Sequence, residues 1–284
     1  QYLSNSMTHT ESHFQAPSGG KIYTQTWTPE GEAKAVIALV HGIGEHSGRY
    51  AHMAQWFAER GIAMMALDHI GHGKSEGVQG YIPSYEAVMD VLDVFVEKTK
   101  AQFPGLPMIM YGHSLGGNFA SNYVLKRKPE IAGVALSAPW FRLAFKPKVT
   151  DVVLAKIMNA IYPKFTQDNG LALDGLSRDP EVAKRYEADP FVHGKVGPVI
   201  FLGGQEGGEY AIAHGTEYHI PTLLMHGSTD QITSYEASAE VAEKNKDQDH
   251  FTWKSWNGLY HELHNEPEKE EVFGYVLDWV EELM

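Results

Sequence analysis

Apolar positions along this chain fall into short unbroken runs separated by longer amphipathic stretches. Ala35-Val-Ile-Ala-Leu-Val40 is rich in branched side chains and stops at His41-Gly42. Similar runs lie at 62–67, 106–111, 131–137, 222–226 and 252–256. Short apolar runs without alternation fit strands covered on both faces, as in a parallel sheet. Between them, apolar residues recur at three- and four-residue spacing, as at 88, 91, 92, 95 and 96. This predicts helices over 50–60, 85–103, 119–125, 234–243 and 270–283. Strand and helix alternate, so the fold class is α/β, a mostly parallel central sheet flanked by helices. Residues 21–27 alternate with period two and predict an antiparallel edge strand.

The alternation breaks between 140 and 221. We read 1–139 and 222–284 as the core and 140–221 as a helical cap (lid) inserted over the C-terminal edge of the sheet, where open α/β sheets bind ligands. The cap opens with WFRLAFKPKVTDVVLAKIMNAIYPKF, residues 140–165. Its apolar residues Val149, Val152, Val153, Leu154, Ile157, Met158 and Ile161 read first as tunnel lining. Five basic side chains against the single acidic Asp151 also suit transient contact with a lipid interface.

Composition narrows the class. A 43% hydrophobic fraction suffices for a sizeable core. With no cysteine, disulfides and thiolate chemistry are excluded. A formal charge of −13 argues against nucleic acid as the main partner. The first residues have neither the basic start nor the apolar segment of a secretory signal, and Gln1 to Ser6 read as an addition ahead of a start at Met7.

Candidate chemistry centres on Gly112-His-Ser114-Leu-Gly116, a G-x-S-x-G pattern placed between an apolar strand and a helix. There a serine on a tight turn stands clear of the sheet at a helix N-terminus, provided its neighbours are small. A neutral serine needs a base, and the base an orienting carboxylate, in the chain order Ser, acid, His. Asp230 follows the 222–226 strand, where it is also a plausible turn residue. His261 and His264 both follow the 252–256 strand and both are candidates for the base. Backbone N–H groups of Leu115, after the serine, and Ile43, in the loop after 35–40, are placed to hold an oxyanion. Gly71-His-Gly-Lys-Ser75 lacks the first glycine of a phosphate loop, which would fall at Asp68. His261-Glu-Leu-His264 is one residue too short for a zinc helix motif. Asp68 precedes the serine and reads as a structural hydrogen-bonding residue rather than the triad acid.

HGIGEHSGRY (41–50), LDHIGHGKSEG (67–77), FPGLPMIMYGHSLGG (103–117), TLLMHGSTDQIT (222–233) and GLYHELHNE (258–266) carry a family resemblance. The chain resembles the monoacylglycerol lipase family of α/β-hydrolases, related to serine-aminopeptidase-type hydrolases and lysophospholipases. The resemblance implies an α/β-hydrolase fold with a triad of Ser114, Asp230 and His261 and oxyanion donors at Ile43 and Leu115. It also implies that Glu45, Arg49 and His264 hold the glycerol hydroxyls, with Tyr186 nearby; a Glu45–Arg49 ion pair closing the loop is the alternative. The expected activity is hydrolysis of monoacylglycerols by a cytoplasmic enzyme with peripheral membrane contact, without metal or other cofactor. A lysophospholipase, a broad carboxylesterase, or a ligand receptor on a hydrolase fold are the competing expectations. The family has a continuous helix before the Asp strand; FLGGQEGGEY (201–210) departs from that, and its glycines predict a broken or mobile segment.

Overall fold

The computed structural model describes residues 7–284; the reading of residues 1–6 as an addition lies outside them. The elements run β1 (Thr8–Gln15), β2 (Lys21–Thr28), β3 (Ala35–Val40), α1 (Ala51–Ala58), β4 (Ile62–Leu67), α2 (Tyr85–Gln102), β5 (Met108–His113), α3 (Leu115–Arg127) and β6 (Gly133–Ser137). There follow α4 (Val149–Ile161), β7 (Gln167–Asp168), α5 (Pro180–Ala188), β8 (Lys195–Val196) and α6 (Pro198–Ala213). The chain closes with β9 (Thr222–Gly227), α7 (Tyr235–Lys244), β10 (Phe251–Trp256) and α8 (Lys269–Glu282).

Eight strands form one sheet in the order β1-β2-β4-β3-β5-β6-β9-β10. The six from β4 to β10 in that order are parallel, and β1 and β2 are antiparallel. Every residue of β3, β4, β5, β6 and β9 is buried, as unbroken apolar runs require. Side chains alternate between faces. Val36, Ala38, Val40 and Met110 pack with residues of α2, α3, α6 and α7. Ile37, Leu39, Ile109 and Tyr111 pack with residues of α1 and α8.

Two expectations are corrected. Residues 21–27 are antiparallel but second from the edge, because β1 pairs outside them along its whole length. β1 exposes nearly every residue, so it carries no apolar signal. The stretch 201–210 lies inside α6, a continuous helix of 16 residues. Its glycines serve packing: a side chain at Gly208 would begin 2.0 Å from the Phe141 carbonyl oxygen, and one at Gly204 would begin 2.4 Å from the Trp140 ring. Each glycine costs the helix about 1 kcal/mol relative to Ala, and close burial against this backbone offsets it.

Between β6 and β9, the ribbon β7–β8 is tied to the core: His193 N–H donates to the Gly44 carbonyl at 2.9 Å and Gly197 N–H to that of Gly80 at 2.8 Å. α6 packs on α2 and α3 as well as on α4. Helix α4 buries only Ala155. Val149, Val153, Ile157 and Ile161, spaced four apart on one stripe, are 73, 48, 50 and 72% exposed. The α4 apolar stripe therefore faces outward, contrary to its reading as tunnel lining.

Candidate active site

The parallel strands end at one edge of the sheet, and the loops after β3, β5, β9 and β10 meet there. β5 turns into α3 through Ser114, whose φ is +57° and ψ −116°. A non-glycine residue in that region is strained and persists only where its surroundings hold it. Here its N–H donates to the Ser137 carbonyl at 3.0 Å, and its carbonyl accepts from Asn118 at 3.0 Å and Trp140 at 2.9 Å. Gly116 lets the turn sit against β3, since any side chain there would begin 2.0 Å from the Val40 carbonyl oxygen.

The Ser114 hydroxyl lies 3.1 Å from His261 Nε2, and His261 Nδ1 lies 2.7 Å from Asp230 Oδ2. An ionised carboxylate only accepts, so Nδ1 carries the proton and Nε2 is left to accept from the serine. Asp230 Oδ1 also accepts from the N–H groups of Ile232 and Thr233, and Oδ2 from His226 Nε2 at 3.0 Å and the Thr233 hydroxyl at 3.0 Å. Burial raises the Asp230 pKa, but the charge of His261 and the hydrogen bonds outweigh it and hold the carboxyl well below its usual range. Burial likewise lowers the His261 pKa, yet the charge and hydrogen bond of Asp230 leave it above 6.5. A serine, a raised imidazole and a carboxylate fixed by five donors can make and quench an alkoxide.

Leu115 is the first residue of α3, so its N–H is one that the helix leaves unpaired. Ile43 lines the same cavity as Ser114 and His261. The loop carrying Ile43 is tied by Glu45, whose Oε2 accepts from Gly42 N–H at 2.7 Å and the Tyr50 hydroxyl at 2.7 Å. Glu45 Oε1 accepts from Arg49 Nη1 at 2.7 Å. Three of about four lone-pair sites on Glu45 are thus occupied. Arg49 also grips Glu262 through Nη1 at 2.6 Å and Nη2 at 2.8 Å. Burial pushes the Glu262 pKa up, but Arg49 outweighs it and holds the carboxyl low. Burial, with Glu262 close by, pushes Glu45 up. Glu45, His113 and Glu262 place ligand atoms within 4.8 Å of one another, but the Arg49 guanidinium already serves both carboxylates as their cation.

Of the remaining sequence candidates, Tyr186 lines the cavity, under the Arg49 guanidinium at 4.9 Å. His264 does not join them. It is fully buried, stacked on Tyr50 at 4.5 Å and edge-on to His113 at 4.8 Å, and is absent from the cavity wall. Asp68 accepts from the backbone N–H groups of Ser47 and Lys74, a structural use. Sequence reasoning missed Glu262, His226 and Thr233. Glu262 stands beside His261, inside a stretch whose charges look like an exposed turn. The cavity, about 680 Å³, is lined by Ser114, Glu45, Arg49 and Glu262 together with the apolar Trp140, Leu143, Phe165, Leu176, Phe201 and Ile232.

Residues 31–268 match the family described as serine aminopeptidase, S33. The chain belongs to this family. Proteins similar to it include a monoacylglycerol lipase of Mycolicibacterium smegmatis, 33% identical over 97% of this chain and 98% of its own, and the human monoglyceride lipase, 33% identical over 94% of this chain and 89% of its own. An uncharacterised abhydrolase domain-containing protein of Dictyostelium discoideum is 32% identical over 97% of this chain, which spans only 29% of that larger protein. The crystal structure of a monoacylglycerol lipase from Paleococcus ferrophilus has a TM-score of 0.81 and 30% identity, covering 98% of this chain and 100% of its own. This chain has the α/β-hydrolase fold expected from the sequence, a mostly parallel eight-stranded sheet flanked by helices.

Proposed function

We propose that the protein is a serine ester hydrolase that cleaves monoacylglycerols to glycerol and fatty acid through an acyl-enzyme. The observation that carries this is the Ser114–His261–Asp230 chain of hydrogen bonds, with Ser114 and His261 in the wall of a cavity that also has apolar lining. The hydroxyl of Ser114 attacks the ester carbonyl while His261 Nε2 takes its proton. Asp230 keeps the imidazole in that tautomer and stabilises the imidazolium. The N–H groups of Ile43 and Leu115 hold the oxyanion. His261 returns the proton to the departing glycerol oxygen, and water then releases the acid by the same route. No cofactor enters this scheme.

The roles of the polar lining residues divide by what each already holds. Glu45 and Arg49, committed to each other, to Gly42 and to Glu262, set the oxyanion loop; Tyr186 faces the leaving alcohol. Residues 140–221 act as a cap whose lining residues form the acyl channel. The exposed stripe of α4, with Phe145 and Tyr162 exposed beside it and Lys146, Lys148, Lys156 and Lys164 around it, suits transient contact with an anionic lipid surface. Among the described residues no helix is long and apolar enough to cross a membrane. The location that goes with this reading is cytoplasmic with peripheral membrane contact.

A substrate panel tests the reading. Purified protein should hydrolyse monoacylglycerols faster than diacylglycerols, lysophospholipids or simple ethyl esters of the same acid. Highest kcat/KM on lysophospholipid would replace this reading with the phospholipase one.

A further inference from the structure

Asp230 is gripped by a second histidine. His226 lies on β9 and is fully buried, as is Ser238 on α7. His226 Nε2 stands 3.0 Å from Asp230 Oδ2, the same oxygen that His261 Nδ1 reaches at 2.7 Å. Its Nδ1 stands 2.7 Å from the Ser238 hydroxyl. The triad is thus part of a longer chain, Ser114–His261–Asp230–His226–Ser238. We propose that His226 is a positioning residue for the reaction, fixing through Asp230 the carboxylate oxygen that orients the His261 imidazole. The proposal rests on the ester-hydrolase reading above and adds a residue to its machinery.

The direction of each bond follows from its partners. Besides Asp230, His226 Nε2 faces the Thr233 carbonyl at 3.2 Å. A carboxylate and a carbonyl only accept, so Nε2 carries a proton and donates, and Nδ1 is left for the Ser238 hydroxyl. The Thr233 hydroxyl is 3.0 Å from Asp230 Oδ2, but it is also 3.0 Å from the Ala138 carbonyl, and its single proton cannot serve both. The N–H groups of Ile232 and Thr233 hold the other oxygen, Oδ1. Apart from His261, then, the donor fixed on Oδ2 is His226. The ring has little freedom, because Ser238 holds its far nitrogen and the Tyr235 ring meets it edge-on at 6.0 Å. A stiff donor clamped at both ends is the support that a precisely placed group needs. Its effect reaches His261 in two ways. It keeps Oδ2 where Nδ1 meets it, and it shares negative charge that otherwise falls on His261. In a buried network of this kind each bond polarises the next, so the loss of one donor is felt beyond its own partner. The titratable groups facing His261 are Asp230, Glu262, Glu45 and His113, whose ring is 4.8 Å away, with Arg49 bridging the two glutamates. The substitutions below leave all of these in place.

The test is the pH profile of kcat/KM for a p-nitrophenyl ester, which reports the base of the free enzyme, in wild type, His226→Leu and His226→Gln. Leu fills space but donates nothing. Asp230 then concentrates its charge on His261, so the rising limb should move to higher pH by about half a unit. Turnover should fall by roughly ten-fold as the imidazole is held less firmly. Gln carries an amide N–H that can take the place of Nε2–H; it should return the limb to its wild-type position and recover most of the rate. Should His226→Leu not fold, Ser238→Ala decides: it frees the far end of the ring, and the limb should move in the same direction. A limb that stays put or moves to lower pH, or a Gln variant as impaired as the Leu one, would overturn the proposal and leave the His226–Asp230 bond as a brace for the turn after β9. Failure of the wider reading looks different: wild type would turn over no ester at any pH, and the proposal would fall with it.

Discussion

Arg49 and Glu262 form a two-pronged ion pair, 2.6 and 2.8 Å long, one residue beyond His261. The same Nη1 reaches Glu45 at 2.7 Å, so two buried carboxylates share one guanidinium. Removing one partner of a buried pair leaves charge uncompensated and costs about 3–5 kcal/mol. Arg49→Met should lose that much stability at pH 7.5 by urea denaturation. The Glu262 pKa is depressed in the folded chain. The stabilisation it brings is therefore full above the unfolded value of about 4.3 and fades as pH falls toward the folded value. The gap between wild type and variant should narrow below about pH 4. Wild-type stability in Arg49→Met at pH 7.5 would show that the pair contributes nothing.

Glu45 ties Gly42 N–H directly, so its loss should loosen the loop that carries Ile43. Glu45→Gln weakens an acceptor that acts on every ester. Turnover of a monoacylglycerol and of the matching ethyl ester should fall by similar factors, about 10–100-fold if one oxyanion donor is partly lost. A loss confined to the glycerol ester would return Glu45 to head-group binding.

The base must be neutral to accept a proton, so activity should rise with pH through the His261 pKa. Asp230 holds that value above 6.5 against the effect of burial. Asp230→Asn should move the rising limb of kcat/KM for a p-nitrophenyl ester to lower pH and cut kcat by about 10⁴-fold, as wrong-tautomer variants of other triads do. An unmoved limb would mean that another group titrates.

The outward stripe of α4 makes a separate claim. Val153→Asp with Ile157→Asp should reduce sedimentation with vesicles containing anionic lipid, and should slow hydrolysis of vesicle-borne substrate more than that of soluble p-nitrophenyl acetate. Equal vesicle binding by the double variant would remove the stripe from membrane contact.

Much of the fold was legible because the buried strands are unbroken apolar runs and the helices keep their spacing. β1 was not, since a strand exposed on nearly every residue looks like polar coil. The glycines of α6 misled for the opposite reason: propensity predicts a break, while the contacts that demand glycine come from Phe141 and Trp140, more than sixty residues away. At the site, the turn around Ser114 and the order of Asp230 and His261 could be read directly from local motifs. Glu262 could not, because its partner Arg49 comes from a separate strand-end loop; His226 and Thr233 lie within four residues of Asp230 but belong to no motif that marks them. His264 has the spacing of a site residue but points into the packing behind Tyr50.

The central claim is that Ser114 is the nucleophile of a monoacylglycerol hydrolase. The most direct measurement is glycerol release from a monoacylglycerol by wild type and Ser114→Ala, side by side. Residues acting as a unit lose nearly everything together, so the variant should be slower by about 10⁶-fold, while wild type releases glycerol and fatty acid in equal amounts. Near-normal glycerol release by Ser114→Ala, or none by wild type, would contradict the account.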